Sequence, residues 1–254
     1  MLTRIAIGII AAAAVPLADA QASQPSVGIE LQGEIQNPGS LQLPTGSRLS
    51  DALLAAKASP NAYLIGGMFA REKARTDQLR LKAGILHGLK TLSASSDQDI
   101  KSAALSVQAQ LEDLPVTGRV KVSLNARLQQ IQPKNDPELA SGDKLVLDRR
   151  PTTVSVLGAV IGQCVLSHSA LKSARSYAAE CPSLAAADKE YLYVIQADGF
   201  VQKVAVALWN RDDPITLSPG GAIFVPIRGK ALRDVDSGLN DEIAEFIATQ
   251  HVSP

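Results

Sequence analysis

Two acidic pairs and one Ser-His-Ser string are the places where this chain could do chemistry. Asp212-Asp213, and Asp234 with Asp236, set carboxylates close together in sequence. Glycoside hydrolysis needs two carboxylates held at a fixed separation across a cleft. Both pairs here sit in turn-like stretches with no cleft implied. Ser167-His168-Ser169 are chain neighbours, which is not the convergent geometry of a nucleophile, its base and an orienting acid. His87, His168 and His251 are scattered, and no C-x-x-C or H-x-x-x-H spacing exists, so a metal site is not expected. No G-x-S-x-G, phosphate loop or dinucleotide fingerprint appears. The expectation is a protein that is not an enzyme, with no catalytic residues, no metal and no cofactor.

Cys164 and Cys181 are the only cysteines. How they read depends on the compartment. Residues 1–4 carry one positive charge, 5–17 are almost wholly apolar, and small residues follow at Ala18, Ala20 and Ala22. This is the pattern of a secretory signal peptide over residues 1–22, cleaved after Ala20 or Ala22. The apolar run is short for a bilayer span, and no membrane span is expected in the mature chain. The expected location is the periplasm. An oxidising space favours a Cys164–Cys181 disulfide; two buried free thiols are the other reading. Twenty-five basic residues balance 25 acidic ones, which argues against a nucleic-acid partner.

The elements that would position these groups come as a duplication. LASGDKLVLDRRP (residues 139–151) and LSPGGAIFVPIRG (217–229) align without a gap, and IELQGEIQNPG (29–39) aligns with VSVLGAVIGQC (154–164), Gly33 on Gly158. In each copy a short strand, a turn and a second strand come first. A helical stripe follows: Leu49, Ala52, Leu53 and Ala56 in residues 48–57, and Ala170, Leu171, Ala174 and Ala178 in 169–179. Further strands close each copy, at 120–124 and 144–147 in the first, and at 191–196, 200–208 and 222–225 in the second. Asp198-Gly199 is a hairpin turn signal. Hairpin, crossing helix and closing strands spell a β-grasp. The fold class expected is α+β: two tandem β-grasp domains, residues 25–150 and 151–230, joined by a short connector. Matched glycines are about 110 residues apart in the first copy and about 60 in the second, so the first carries an insertion. Residues 63–114 fit, with two helical stripes broken at Ser95-Ser96-Asp97, where Ser96 and Asp99 have capping-box spacing. A C-terminal amphipathic helix is expected within 234–252, with Ile243, Phe246 and Ile247 on its apolar face. That stripe either docks on the protein's own core or binds a partner.

These residues carry a resemblance. GEIQNPGSLQLPTGSRLSDALLAA, LPVTGR (114–119) and LASGDKLVLDRRPTTVSVLGAV resemble the GfcC family of capsule-biosynthesis proteins, over residues 27–247. The resemblance implies a periplasmic protein of two soluble-ligand-binding β-grasp units, of the type found in outer-membrane polysaccharide exporters. It also implies a functional arginine in the LPVTGR motif, Arg119, facing the groove between domains, where a rigid fork of donors suits carboxylates, phosphates or sugar hydroxyls. The structural alternative for Arg119 is an ion pair with a nearby carboxylate. Arg149, Arg150 and Arg228 read as solvated strand ends or a shared anion patch, Arg71 and Arg75 as a charged helix face, and Trp209 as a cap on the second core or a sugar platform. The function expected is a non-catalytic accessory of capsule or exopolysaccharide biosynthesis and export, with polysaccharide or the outer-membrane export machinery as partner. A polysaccharide-modifying enzyme or enzyme subunit is the alternative.

Overall fold

Strand-forming residues alternate in Ser26–Gly33 (β1), where Val27, Ile29 and Leu31 are buried and their neighbours are not. That alternation is the pattern of a strand with one face covered. The computed structural model describes residues 25–233 and 235–251; the expected signal peptide, Asp234 and residue 252 lie outside them. The first half continues through β2 (Gly39–Pro44), α1 (Leu49–Ala56), β3 (Met68–Ala70), α2 (Glu72–Ser93), α3 (Gln98–Glu112), β4 (Arg119–Val120), α4 (Ala126–Ile131) and β5 (Lys144–Leu147). The second runs through β6 (Thr153–Gly158), β7 (Cys164–Ser167), α5 (Ala174–Ala179), β8 (Tyr191–Ile195), β9 (Val201–Ala205) and β10 (Ala222–Val225), and α6 (Leu239–Ala248) follows.

The protein is α+β, with two five-stranded sheets in tandem, ordered β2-β1-β5-β3-β4 and β7-β6-β10-β8-β9. Position by position these are one order. In each, the first strand pairs antiparallel with its hairpin partner and parallel with the closing strand. The registers match too. Leu31 pairs with Gly39 as Val156 pairs with Cys164. Met68 pairs with Val146 as Tyr193 pairs with Phe224. The bridges outside the strands repeat as well: Ile35–Ala58 answers Val160–Ser183, Arg48–Glu138 answers Ser173–Thr216, and Ala62–Arg149 answers Ala187–Ile227. Gly33 and Gly158 occupy one setting. Both have positive φ, and a side chain on either would overlap the carbonyl oxygen of the last closing-strand residue, Leu147 or Val225.

The halves differ between their third and fourth strands. The second turns from β8 to β9 through Asp198-Gly199; the first sends out α2 and α3 instead. β3 thus lies inside the stretch expected to be inserted, and the helical pair itself spans residues 72–112. Its apolar stripes leave the first core entirely. Ile85, Leu89 and Leu92 of α2, with Ala104, Val107 and Leu111 of α3, share one buried cluster with the second sheet and α6. Every residue of β10 is buried, which requires cover on both faces. The inserted helices therefore belong to the first half in sequence and to the second in packing.

Three amide side chains fasten this arrangement by acting as mock strand partners. Gln110 of α3 accepts from the Gly158 N–H (2.8 Å) and donates to its carbonyl (2.9 Å). Asn240 of α6 does the same for Ile227 (3.2 and 2.7 Å). Gln78 of α2 accepts from the Gly118 N–H and donates to the Arg119 carbonyl, each at 2.8 Å. Buried backbone groups that lack a sheet neighbour are thereby satisfied.

Several local expectations are corrected. The helix at 169–179 is only α5, because Ser173 caps it by accepting from the Ser176 N–H and the Ala174 N–H donates to the Ile215 carbonyl; Leu171 is left 94% exposed. The α3 cap is Asp97, accepting from Asp99 and Ile100, not Ser96. The strand at 120–124 stops after Val120 because its partner β3 has three residues. The strand at 200–208 narrows to β9, and Trp209, 73% exposed, does not cap the core.

Cys164 and Cys181 form a disulfide, tying the start of β7 to the end of the α5 segment. Cys164 stands where the first copy has the turn residue Gly39. The bridge spans a sequence separation of 17, a loop length worth about 3 kcal/mol through restriction of the unfolded chain. Replacing both cysteines by alanine is expected to lower the unfolding free energy by about that amount in urea titration; an unchanged midpoint would show the bond to be passive.

Candidate functional site

Arg119 lies where the two sheets and the turn after α6 meet, and it is 6% exposed. β4 carries it into the junction, and the positive φ of Gly118 turns the chain so that the Arg71 N–H reaches the Gly118 carbonyl (2.9 Å). Its guanidinium donates to three backbone carbonyls: Gly67 of the first half (3.1 Å), Ala197 of the second (2.6 Å) and Gln250 after α6 (2.9 Å). Among the described residues no carboxylate forms an ion pair with it. The ion-pair alternative is thus replaced by a carbonyl clasp. Burial disfavours the guanidinium charge, and the field of Asp198 opposes that effect.

A small pocket of about 90 Å³ opens beside Arg119, lined also by Tyr63, Ser155, Gln163, Gln196 and Gln250. Burial pushes the Tyr63 phenol up, so it stays a neutral hydroxyl. The pocket has room for a few waters or a carboxylate-sized group, not a pyranose ring. Two of the five guanidinium N–H groups are not used by the three carbonyls.

Of the other candidates Ile247 also lines this pocket, and the rest fall elsewhere. Ile243, Phe246 and Ile247 are buried in the cluster shared by α2 and the second sheet. Their seat is specific: Gly88 of α2 has no side chain, and the Leu239 methyls occupy that space. The Tyr193 hydroxyl donates to Asp241 at 2.5 Å, and burial, then this bond, push its pKa far up. Arg149 pairs with Glu34 (2.6 Å) and Arg228 with Asp97 (2.8 Å), so they form no shared anion patch. Glu34 is held below the usual carboxylate range by Arg149 and Ser59. Arg71 is not part of an ordinary charged face: it pairs with the buried Asp143 at 2.8 Å and lies over Phe69. Asp212 caps the Ala205 N–H and Asp236 the Gly238 N–H. His168 bonds the Leu217 carbonyl, while the Tyr177 hydroxyl bonds both backbone groups of Ser169. These would-be chemical groups are spent on structure. Among the described residues no three metal-ligating side chains gather, and no helix is long and apolar enough to cross a membrane.

Gln78, Gln110 and Asn240 escaped the sequence reading because a lone amide has no spacing signature. Tyr63 escaped because the partner of its hydroxyl, Ser218, comes from the other half of the chain.

A duplicated α+β frame of two units thus closes around a buried arginine clasped by three backbone carbonyls. The GfcC N-terminal capsule-biosynthesis model matches residues 23–150, and the GfcC C-terminal model matches 161–252. The chain belongs to the GfcC capsule-biosynthesis family, which supports a role in capsule or polysaccharide processes. It is also similar to the uncharacterized protein YjbG of Escherichia coli (strain K12), with 26% identity over 208 residues, covering 82% of this chain and 84% of that one.

Proposed function

We propose that this protein is an exported, non-catalytic accessory of capsule or exopolysaccharide assembly, working in the periplasm and built from two β-grasp units. It acts by binding polymer at the seam between the units. The observation that carries this reading is Arg119: a buried cation with no carboxylate partner among the described residues, with spare donors, beside a small, largely apolar pocket with a few polar groups on its wall. A buried charge is costly unless paired, and an acidic or hydroxyl group of a glycan meets that need. The stripe Ile243, Phe246 and Ile247 then serves as an internal seam that holds the pocket together, and the export machinery is met through other surfaces.

The test is genetic and biochemical. Arg119→Lys keeps a cation with three donors for the three carbonyls but loses the fork. In the producing strain it is expected to reduce surface polymer about tenfold, while the purified variant melts within a few degrees of wild type. Normal polymer from Arg119→Lys and Arg119→Met alike would overturn the binding role. Incubation of the pure protein with purified polymer is expected to give no new reducing ends; their appearance would overturn the non-catalytic role.

A further inference from the structure

The first sheet ends on one side at β2, and among the described residues β2 has no neighbour there. Its outward groups follow from the pairing. In β1 the Gly28 carbonyl and the Glu30 N–H bond to Gly142 and Asp143, on the β5 side. Backbone groups along a strand alternate sides, so Val27, Ile29 and Leu31 of β1 bond to Leu43, Leu41 and Gly39 of β2. The N–H and C=O groups of Ser40 and Gln42 therefore point away from the sheet. The next outward carbonyl, that of Pro44, accepts from the Ser47 N–H (3.1 Å).

Open strand edges pair with other strands, and proteins blunt them with shortness, charge or cover. The other edges of the two sheets are blunted. β4 has two residues and β7 four. β9 carries Lys203, and both backbone groups of Ala205 are taken by Asp212, its N–H at 3.0 Å and its Oδ2 at 2.8 Å. β2 has six residues, no charged one among them, and Ser40 and Gln42 are exposed. Leu41 and Leu43 lie half-covered at the rim of the first core.

A row of alternating backbone donors and acceptors is matched by another extended backbone. A second β2 matches it without remainder. With the strands antiparallel about a two-fold axis at Leu41, Ser40 of each copy faces Gln42 of the other. Each such pair exchanges two hydrogen bonds, which uses every free group of both residues. Leu41 then meets its own counterpart as a close pair, about 4.5 Å between Cα atoms, and the half-covered apolar rim is covered. No charge on β2 opposes the approach. We infer that β2 is a self-association edge, through which two copies join as a two-fold dimer whose first sheets become one. A strand-edge contact is smaller than the surface a permanent dimer buries, so this dimer is reversible. β4, which carries Arg119, is the opposite edge of the same sheet, so both Arg119 pockets stay open. Two pockets on one body can hold one polymer at two points, which raises avidity with no new contact; the pairing itself does not rest on the polymer reading.

Sedimentation velocity of the full mature protein is expected to show monomer at about 10 μM and a growing dimer fraction toward about 1 mM. Hydrogen exchange read by NMR locates the contact. The Ser40 and Gln42 amides should exchange fast in dilute protein and slow as the dimer fills. Those of Leu41 and Leu43, bonded to β1, should stay protected throughout. Gln42→Pro removes an outward donor without costing a bond to β1 and is expected to weaken dimerisation about tenfold. Should that variant fail to fold, Ser40→Lys combined with Gln42→Lys sets like charges opposite each other at exposed positions. This pair is expected to abolish the dimer with an unchanged melting temperature. A monomer at every concentration overturns the inference. So does a dimer that the double lysine variant leaves intact, or one whose slowed amides are Val165 and Ser167 of β7 instead.

Discussion

Phe246→Ala is expected to lower the unfolding free energy by about 3–5 kcal/mol, the usual cost of emptying a core aromatic site, measured by urea denaturation. The ring is fully buried and sits in the cluster that joins α2, α6 and the second sheet, with the Lys82 ammonium 5.8 Å from its centroid. Little collapse can fill the space, because the neighbouring helices are pinned by Gln78, Gln110 and Asn240 to separate backbone sites. The consequence should reach beyond α6. Arg119 donates to the Gln250 carbonyl just past that helix, so loosening α6 should also loosen the junction. A loss under about 1 kcal/mol would mean that α6 is a detachable arm, and the apolar stripe would then be available to a partner.

Gly158→Ala should be the harshest single-methyl change in the protein, with Gly33→Ala its counterpart. Each residue holds a positive φ, 112° and 88°, which costs a side-chain-bearing residue about 1–2 kcal/mol. Each also faces the carbonyl oxygen of a closing strand, and Gly158 meets the Phe224 ring as well. Overlap with backbone cannot be relieved by a rotamer change, so losses of about 3 kcal/mol or more are expected at both sites. Gly142 has the same φ as Gly33, 88°, but open space where a methyl would go. Gly142→Ala should therefore cost only the backbone term, about 1–2 kcal/mol. Equal losses at all three positions would show that φ alone matters and that the shared setting of Gly33 and Gly158 has no energetic content.

The duplication was legible because it rests on local rules. Gly33 and Gly158 are needed where the chain leaves its first strand against a carbonyl, and the Leu139 and Leu217 strings each precede a closing strand, so sequence similarity followed structural need. The helical stripes of α2 and α3 were legible from their period, but their destination was not. A period says that a face is apolar, not which sheet it covers, and here it covers the sheet of the other half. β3 was missed because three residues give no alternation to count. Arg119 was reached through its motif, and its three carbonyl partners could not be read, since any residue supplies a carbonyl.

Function follows from how the halves are joined. Two small units on a short connector would ordinarily move against each other. Here α2 and α3 carry the first unit's chain into the second unit's core, Arg119 ties three segments at the seam, and the Arg119 pocket lies along that seam. A preorganised site loses less freedom on binding than one assembled from mobile parts, which suits the proposed role of holding polymer.

Differential scanning calorimetry of the mature chain tests this fusion most directly. One transition is predicted, with the calorimetric enthalpy equal to the van't Hoff enthalpy, because the second sheet loses the cover of α2 and α3 when the first half unfolds and the Arg119 clasp is lost with it. Two separable transitions, or a van't Hoff enthalpy near half the calorimetric value, would show independent units and remove the rigid seam on which the binding account stands.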